Sequence, residues 1–129
     1  MINNRHKINV KFIIGFIADG DKLSNHFLVL SASNEGQKLF TLAAAGVDFP
    51  SNNKLIYPTL SQYDVTFPYK LGPGEGCKIL IQAQKLAIEL KSEGTSRKVK
   101  VVGFYQDQIN NIYRSKPFDF GIDYWENHT

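Results

Sequence analysis

From Ile8 to Ile17 the apolar residues Ile8, Val10, Phe12, Ile14 and Phe16 alternate with Asn9, Lys11, Ile13, Gly15 and Ile17, and a period of two predicts a long strand. Ala18 to Asn25 then supplies turn chemistry: Gly20 can take positive φ, and the short polar side chains bond to local backbone. A hairpin into a second strand, His26 to Ser33, follows. There both alternating sets are apolar, Phe27 and Val29 against Leu28 and Leu30, as in a strand covered on two sides near a sheet centre. Asn34-Glu35-Gly36-Gln37 predicts the next turn. Lys38 to Phe49 is a further extended run with Leu39, Thr41, Ala43, Ala45 and Val47 facing one way, although its alanines favour helix over strand.

Pro50, Pro58 and Pro68 each lack an amide donor, so the stretch from Pro50 to Tyr63 reads as an irregular edge with short strands. Leu71-Gly72-Pro73-Gly74-Glu75-Gly76 is a tight glycine-rich turn, and Cys77 to Gln82 a short strand. Ala83, Leu86, Ala87 and Leu90 then fall at i, i+3, i+4 and i+7, which predicts a helix over about 83–93 with Gly94 as its C-terminal cap. A helix of about eleven residues is marginal alone and must lay that stripe on the core. Val99, Val101, Gly103 and Tyr105 alternate with Lys98, Lys100, Val102 and Phe104 in a strand closed by the loop Asp107 to Asn111, with a partner strand from Ile112. Past Pro117, Phe118, Phe120 and Ile122 alternate with Asp119, Gly121 and Asp123 in a last strand with one wet face. The pattern predicts a mostly β fold of about seven strands, a two-sheet antiparallel sandwich or small barrel, with the helix crossing between two late strands. Neither an internal repeat nor a linker divides it, so residues 1–129 read as one domain.

At 129 residues and 43% hydrophobic, the chain can bury a core without metal or disulfide. Its net charge of +3 favours solubility and does not by itself make a nucleic-acid binder. The longest apolar stretches, Phe12 to Ala18 and Phe27 to Ala32, fall short of the roughly 20 residues of a membrane-spanning helix, so no membrane insertion is expected. Lys11 interrupts the first apolar run and no small-residue cleavage site follows, which argues against a signal peptide. Cys77 is the single cysteine, so no intrachain disulfide forms, and a reducing compartment, the cytoplasm, is expected.

Few residues suggest chemistry. Asp19-Gly20-Asp21 begins like a calcium loop, but Leu23 stands at the next ligand position and the distant glutamate is missing. Gly72 to Lys78 lacks the Gly-Lys-Ser/Thr ending of a phosphate cradle and leads into a strand. Cys77 has no histidine near it in sequence, and His6, His26 and His128 lie far apart. Asp107, Asp119 and Asp123 are accounted for by turn preference and strand alternation. No catalytic residue, cofactor or metal ligand is therefore expected. Arg97, Lys98, Lys100 and Arg114 come close together if the last strands pair, and Tyr105 and Tyr113 would then be available to stack, the makings of a surface for single-stranded nucleic acid. Glu89, Glu93, Asp107 and Asp119 dilute that patch. In the aromatic-rich C-terminal stretch the phenylalanines are expected in the core, with Tyr124 and Trp125 as an exposed anchor for a partner.

The stretch from Tyr69 to Tyr124 resembles a family of small uncharacterised bacterial and phage-borne domains with an immunoglobulin-like sandwich. The likeness lies in the turn Leu71-Gly72-Pro73-Gly74-Glu75, the apolar strand after it, the Leu86-Ala87 helix ending in Gly94, the strand Lys98-Val99-Lys100, and Tyr113-Arg114-Ser115-Lys116-Pro117-Phe118. Ser33-Asn34-Glu35-Gly36 looks like the turn after the family's second strand, with Gly46 matching the glycine that ends the next one. The resemblance implies an immunoglobulin-like two-sheet sandwich and carries no activity. Some relatives look membrane-anchored by a helix before the sandwich, whereas here the first strand comes at once, which implies a soluble version. The expectation is a non-enzymatic module that binds another protein, and a phage or mobile-element origin would make that partner a host protein to be inhibited. The alternative is the single-stranded nucleic-acid surface.

Overall fold

The computed structural model describes residues 7–19, 22–49, 54–57, 65–92 and 98–126. Among these the chain runs β1 (Ile8–Asp19), β2 (Lys22–Asn34), β3 (Phe40–Phe49), β4 (Lys54–Ile56), β5 (Tyr69–Leu71), β6 (Gly76–Gln82), α1 (Ala83–Ser92), β7 (Lys98–Asp107), β8 (Ile112–Arg114), β9 (Phe118–Gly121) and α2 (Ile122–Trp125). The strands form two antiparallel sheets. The first has the order β1-β2-β6. In the second, β3 pairs with β7; β4 and β5 share the far side of β3, and β8 and β9 share the far side of β7. The second sheet therefore has four lateral positions, two of them filled by a pair of short strands, and the expected mostly β two-sheet sandwich is what forms.

The alternation read along the chain decides what faces inward. Ile8, Val10 and Phe12 of β1, Leu28, Leu30 and Ala32 of β2, and Ile79 and Ile81 of β6 are buried between the sheets, and β2 is the central strand of its sheet. Val47, Phe49, Val101 and Tyr105 meet them from the second sheet. A Cβ on Gly103 would lie 2.3 Å from Leu30 Cδ1 and 3.1 Å from Phe12 Cγ, so the sheets approach closely at a point where only a glycine fits. α1 buries Ala83, Leu86, Ala87 and Leu90, the stripe its spacing predicts, and carries the chain from the first sheet to the second. Gly94 lies outside the described residues.

Three readings need correction. The first hairpin is longer than the turn residues suggested, since β1 continues to Asp19 and β2 begins at Lys22; Gly20 and Asp21 lie outside the described residues. Leu39, just before β3, and Ala43 within it are exposed, while Leu42, Ala45, Val47 and Phe49 are buried. The register against β7 shifts between Leu42 and Ala44, and the extra residue of a bulge reverses which parity faces the core. The last strand stops at Gly121, and Ile122 begins a short helical turn in place of a further strand residue. No helix among the described residues is long and apolar enough to cross a membrane.

Candidate functional site at the loop end

β7 runs from Lys98, paired with Gly121 just before α2, to Asp107, so its ten residues separate a helical end from a loop end by about 30 Å at roughly 3.3 Å per residue. At the loop end three turns meet: 35–39 between β2 and β3, 72–75 between β5 and β6, and 108–111 between β7 and β8. Among the described residues three polar side chains are buried, and two of them, Asn34 and Asp107, organise these turns.

Asn34 closes an Asx turn by accepting from Gly36 N–H at 3.0 Å, and its amide donates to Lys38 O at 2.7 Å and to Leu71 O at 2.9 Å. Its backbone bonds reach across to the glycine-rich turn, with Asn34 N–H donating to Glu75 O and Gly74 N–H to Asn34 O. Gly74 sits at φ +78°, where a side chain would be strained. One residue thus fixes the first two turns together.

Asp107 does the same for the third. Its Oδ1 accepts from the N–H groups of Ile109 (3.0 Å) and Asn111 (2.9 Å), and its Oδ2 accepts from the Tyr113 hydroxyl (2.7 Å) and the Asn111 amide (3.1 Å). Burial alone would push the Asp107 carboxyl up; the bonds from Tyr113, Asn111 and Ile109 outweigh it and hold the carboxyl below its usual range. The Tyr113 hydroxyl moves upward, because it is buried and because it donates to that carboxylate. Gln108 N–H donates to Thr41 O at 3.1 Å, which ties the turn to β3. With both carboxylate oxygens engaged, Asp107 is a turn clamp without a free lone-pair direction for proton transfer.

Between the first and third turns lies an open cleft of about 540 Å³, walled by Lys38, Leu39, Phe40, Thr41, Gln108 and Ile109. Leu39 is 57% and Ile109 78% exposed, so two aliphatic side chains stand at its lips. Phe40 lines its wall and packs edge-on against Tyr113, ring centroids 5.9 Å apart.

The residues singled out from sequence fall elsewhere. Lys98, Lys100 and Arg114 are exposed on the outer face of the second sheet; Arg97 lies outside the described residues. Lys100 Nζ is 2.9 Å from Asp119 Oδ1 and Arg114 Nε 3.7 Å from Asp48 Oδ2, and between them on the same face are the buried Val102 and Phe104, the latter under the Tyr57 ring. The face is a mixed-charge surface. Tyr105 and Tyr113 offer no stacking face, since both are buried: the Tyr105 hydroxyl donates to Leu30 O, and Tyr113 is engaged by Asp107. Strand parity carried the warning, because Lys100 and Tyr105, or Tyr113 and Arg114, are an odd number of residues apart and project from opposite faces. Tyr124 is exposed at the helical end, while Trp125, expected as the exposed anchor, is half-buried against the core with its ring edge-on to Tyr124 at 4.8 Å. Phe120 is buried and Phe118 packs on the core, as read. Leu39 and Ile109, the exposed apolar residues of this cleft, were not singled out from the sequence, although an isoleucine inside Asp107-Gln108-Ile109-Asn110-Asn111 is an apolar residue in a tract of turn formers and signals an exposed tip.

Among the described residues no three His, Cys, Asp or Glu side chains converge as a metal site. Burial pushes the Cys77 thiol up, against weaker opposing bonds from Tyr105 and Ala32, so the thiolate is disfavoured. Comparison with protein families, with curated proteins and with solved structures finds no match for this chain.

Proposed function

We propose that the chain is a non-enzymatic module that binds another protein at its loop end, with Leu39 and Ile109 as the apolar contacts. The observation that carries this reading is Ile109: an aliphatic side chain 78% exposed at the tip of a turn whose backbone is fixed by a single buried carboxylate. An ordered apolar tip loses little conformational entropy when a partner covers it, and such pre-organised anchors dominate interface energetics. The cleft supplies a concave wall beside it, with Lys38 and Gln108 at its polar rim. A single-stranded nucleic-acid surface has less in its favour, because the cations of the outer face sit beside Asp119 and Asp48 and its two tyrosines are buried.

The test is capture from an extract of the source cells with the whole chain immobilised. A protein retained by the wild type should be lost with Ile109→Asp, at unchanged far-ultraviolet spectrum, and kept with Tyr124→Ala at the opposite end. Equal capture by wild type and Ile109→Asp would remove the loop end from consideration.

A further inference from the structure

The lateral edges of the two sheets are built differently. Both edges of the second sheet are broken into short strands, β4 with β5 and β8 with β9, none longer than four residues. β1 is a terminal strand of the first sheet and runs for twelve residues. The direction of its backbone groups follows from one bond: Glu35 N–H donates to Lys7 O at 2.8 Å, in register with the pair Ile8 and Asn34. Lys7, Asn9, Lys11 and Ile13 therefore exchange their hydrogen bonds with β2, and Ile8, Val10, Phe12 and Ile14 aim N–H and C=O away from it. Among the described residues no strand pairs with that side. A long edge with a row of free donors and acceptors is a template for one more strand.

The side chains beside the edge say which strand fits. On the outer face Lys11 lies in one cross-strand row with Ser31 and Lys78, and Ile13 lies in the next with Val29 and Leu80. The first row is cationic and the second apolar. The exposed outer-face residues of β1, Asn9, Lys11 and Ile13, include a lysine and no carboxylate, so a second copy of that stretch offers Lys11 no opposite charge, and like charges directly across a strand pair are destabilising. We propose that the open edge of β1 accepts an extended segment of another protein as an added antiparallel strand, with an apolar residue opposite Ile13 and a carboxylate two residues later opposite Lys11. This surface is separate from the loop-end cleft and stands without it.

The probe is an end-capped heptapeptide, Ser-Thr-Val-Thr-Glu-Thr-Ser, titrated to millimolar concentration against the whole chain and followed by amide hydrogen exchange. In the free protein the amides of Val10, Phe12 and Ile14 should exchange quickly and those of Lys11 and Ile13 slowly; peptide should slow the first group. In the proposed register the threonine amides face β1. N-methylation of the threonines should weaken binding by about tenfold or more, and N-methylation of the Val and Glu should leave it nearly unchanged. Replacing the peptide Glu by Lys should weaken binding about fivefold, and Lys11→Glu, an exposed substitution, should reverse that preference. The proposal is overturned if the peptide leaves those exchange rates unaltered, if the two methylated peptides bind alike, if Lys11→Glu leaves the charge preference as it was, or if the same amides become protected by self-association as protein concentration rises.

Discussion

At the loop end of the sandwich, Asn34 and Asp107 are almost fully buried and each directs a turn through several hydrogen bonds, whereas at the helical end α1 lays Ala83, Leu86, Ala87 and Leu90 on the core and keeps its polar contacts, Lys91 and Gln84 with Glu126, at or near the surface. Apolar burial is strong and non-directional: it fixes that the helix docks, but tolerates small changes in how. Hydrogen bonds to buried groups contribute less net free energy and far more direction, because a misplaced donor leaves its partner unpaired. The difference assigns stability chiefly to one end and shape to the other. A recognition surface needs shape, which is why the exposed Leu39 and Ile109 are informative where they stand.

Removing apolar mass at the helical end should have the largest effect on folding. Leu90 is completely buried, and Leu90→Ala should cost about 3 kcal/mol in urea unfolding while leaving the amide chemical shifts of 107–111 in place. Asp107→Ala strands the Ile109 and Asn111 amides and the Tyr113 hydroxyl together; it should cost about 2 kcal/mol and also broaden the resonances of the turn. Asn34→Ala, which frees Lys38 O and Leu71 O, should behave like Asp107→Ala on the other side of the cleft. If Leu90→Ala disordered the turns, or Asp107→Ala left them rigid, the division of labour between the ends would be wrong.

A pH series sharpens the same contrast with a smaller effect. Because the folded Asp107 carboxyl titrates below its unfolded counterpart, its contribution is complete above the ordinary carboxylate value and fades as pH falls through the depressed folded value. Between about pH 5 and about pH 2 the wild type should therefore lose more stability than Asp107→Asn, measured by urea midpoints. Tyr113 has the opposite sign: its folded hydroxyl is raised, so its contribution is complete below the ordinary value of 10.0 and is lost as pH climbs above it. Tyr113→Phe should flatten that alkaline limb. Leu90→Ala should shift both curves downward without changing their shape.

The strands of the core were legible because period two survives any choice of partner: Ile8, Val10 and Phe12 face inward whichever strand lies beside them, and the helical stripe of α1 is equally local. Features set by pairing were not legible. The bulge in β3 depends on its register with β7, and three-residue strands such as β5 and β8 are defined only by the neighbours they bond to. The basic-aromatic surface failed for a reason already in the sequence, since closeness along a strand was taken without parity. The buttresses of the loop end were hardest, because an asparagine and an aspartate at strand ends read as ordinary turn formers; that they are buried and hold three turns follows only from how the strands converge.

The smallest expected effect tests the helical end from its polar side. Lys91 Nζ lies 2.7 Å from Glu126 Oε1, and the hydrogen bond and charge of Glu126 raise the Lys91 ammonium group above its ordinary value. The lysine side chain is nonetheless half exposed, where water and salt screen the attraction and ordering two long side chains offsets much of what remains. Lys91→Ala should leave the urea midpoint unchanged within error at low and at high salt, since the Gln84 amide still donates to Glu126 O and the apolar stripe is untouched. A loss comparable to that of Leu90→Ala would mean that charge holds this end, and the contrast with the hydrogen-bonded turns across the molecule would no longer be one of force but only of place.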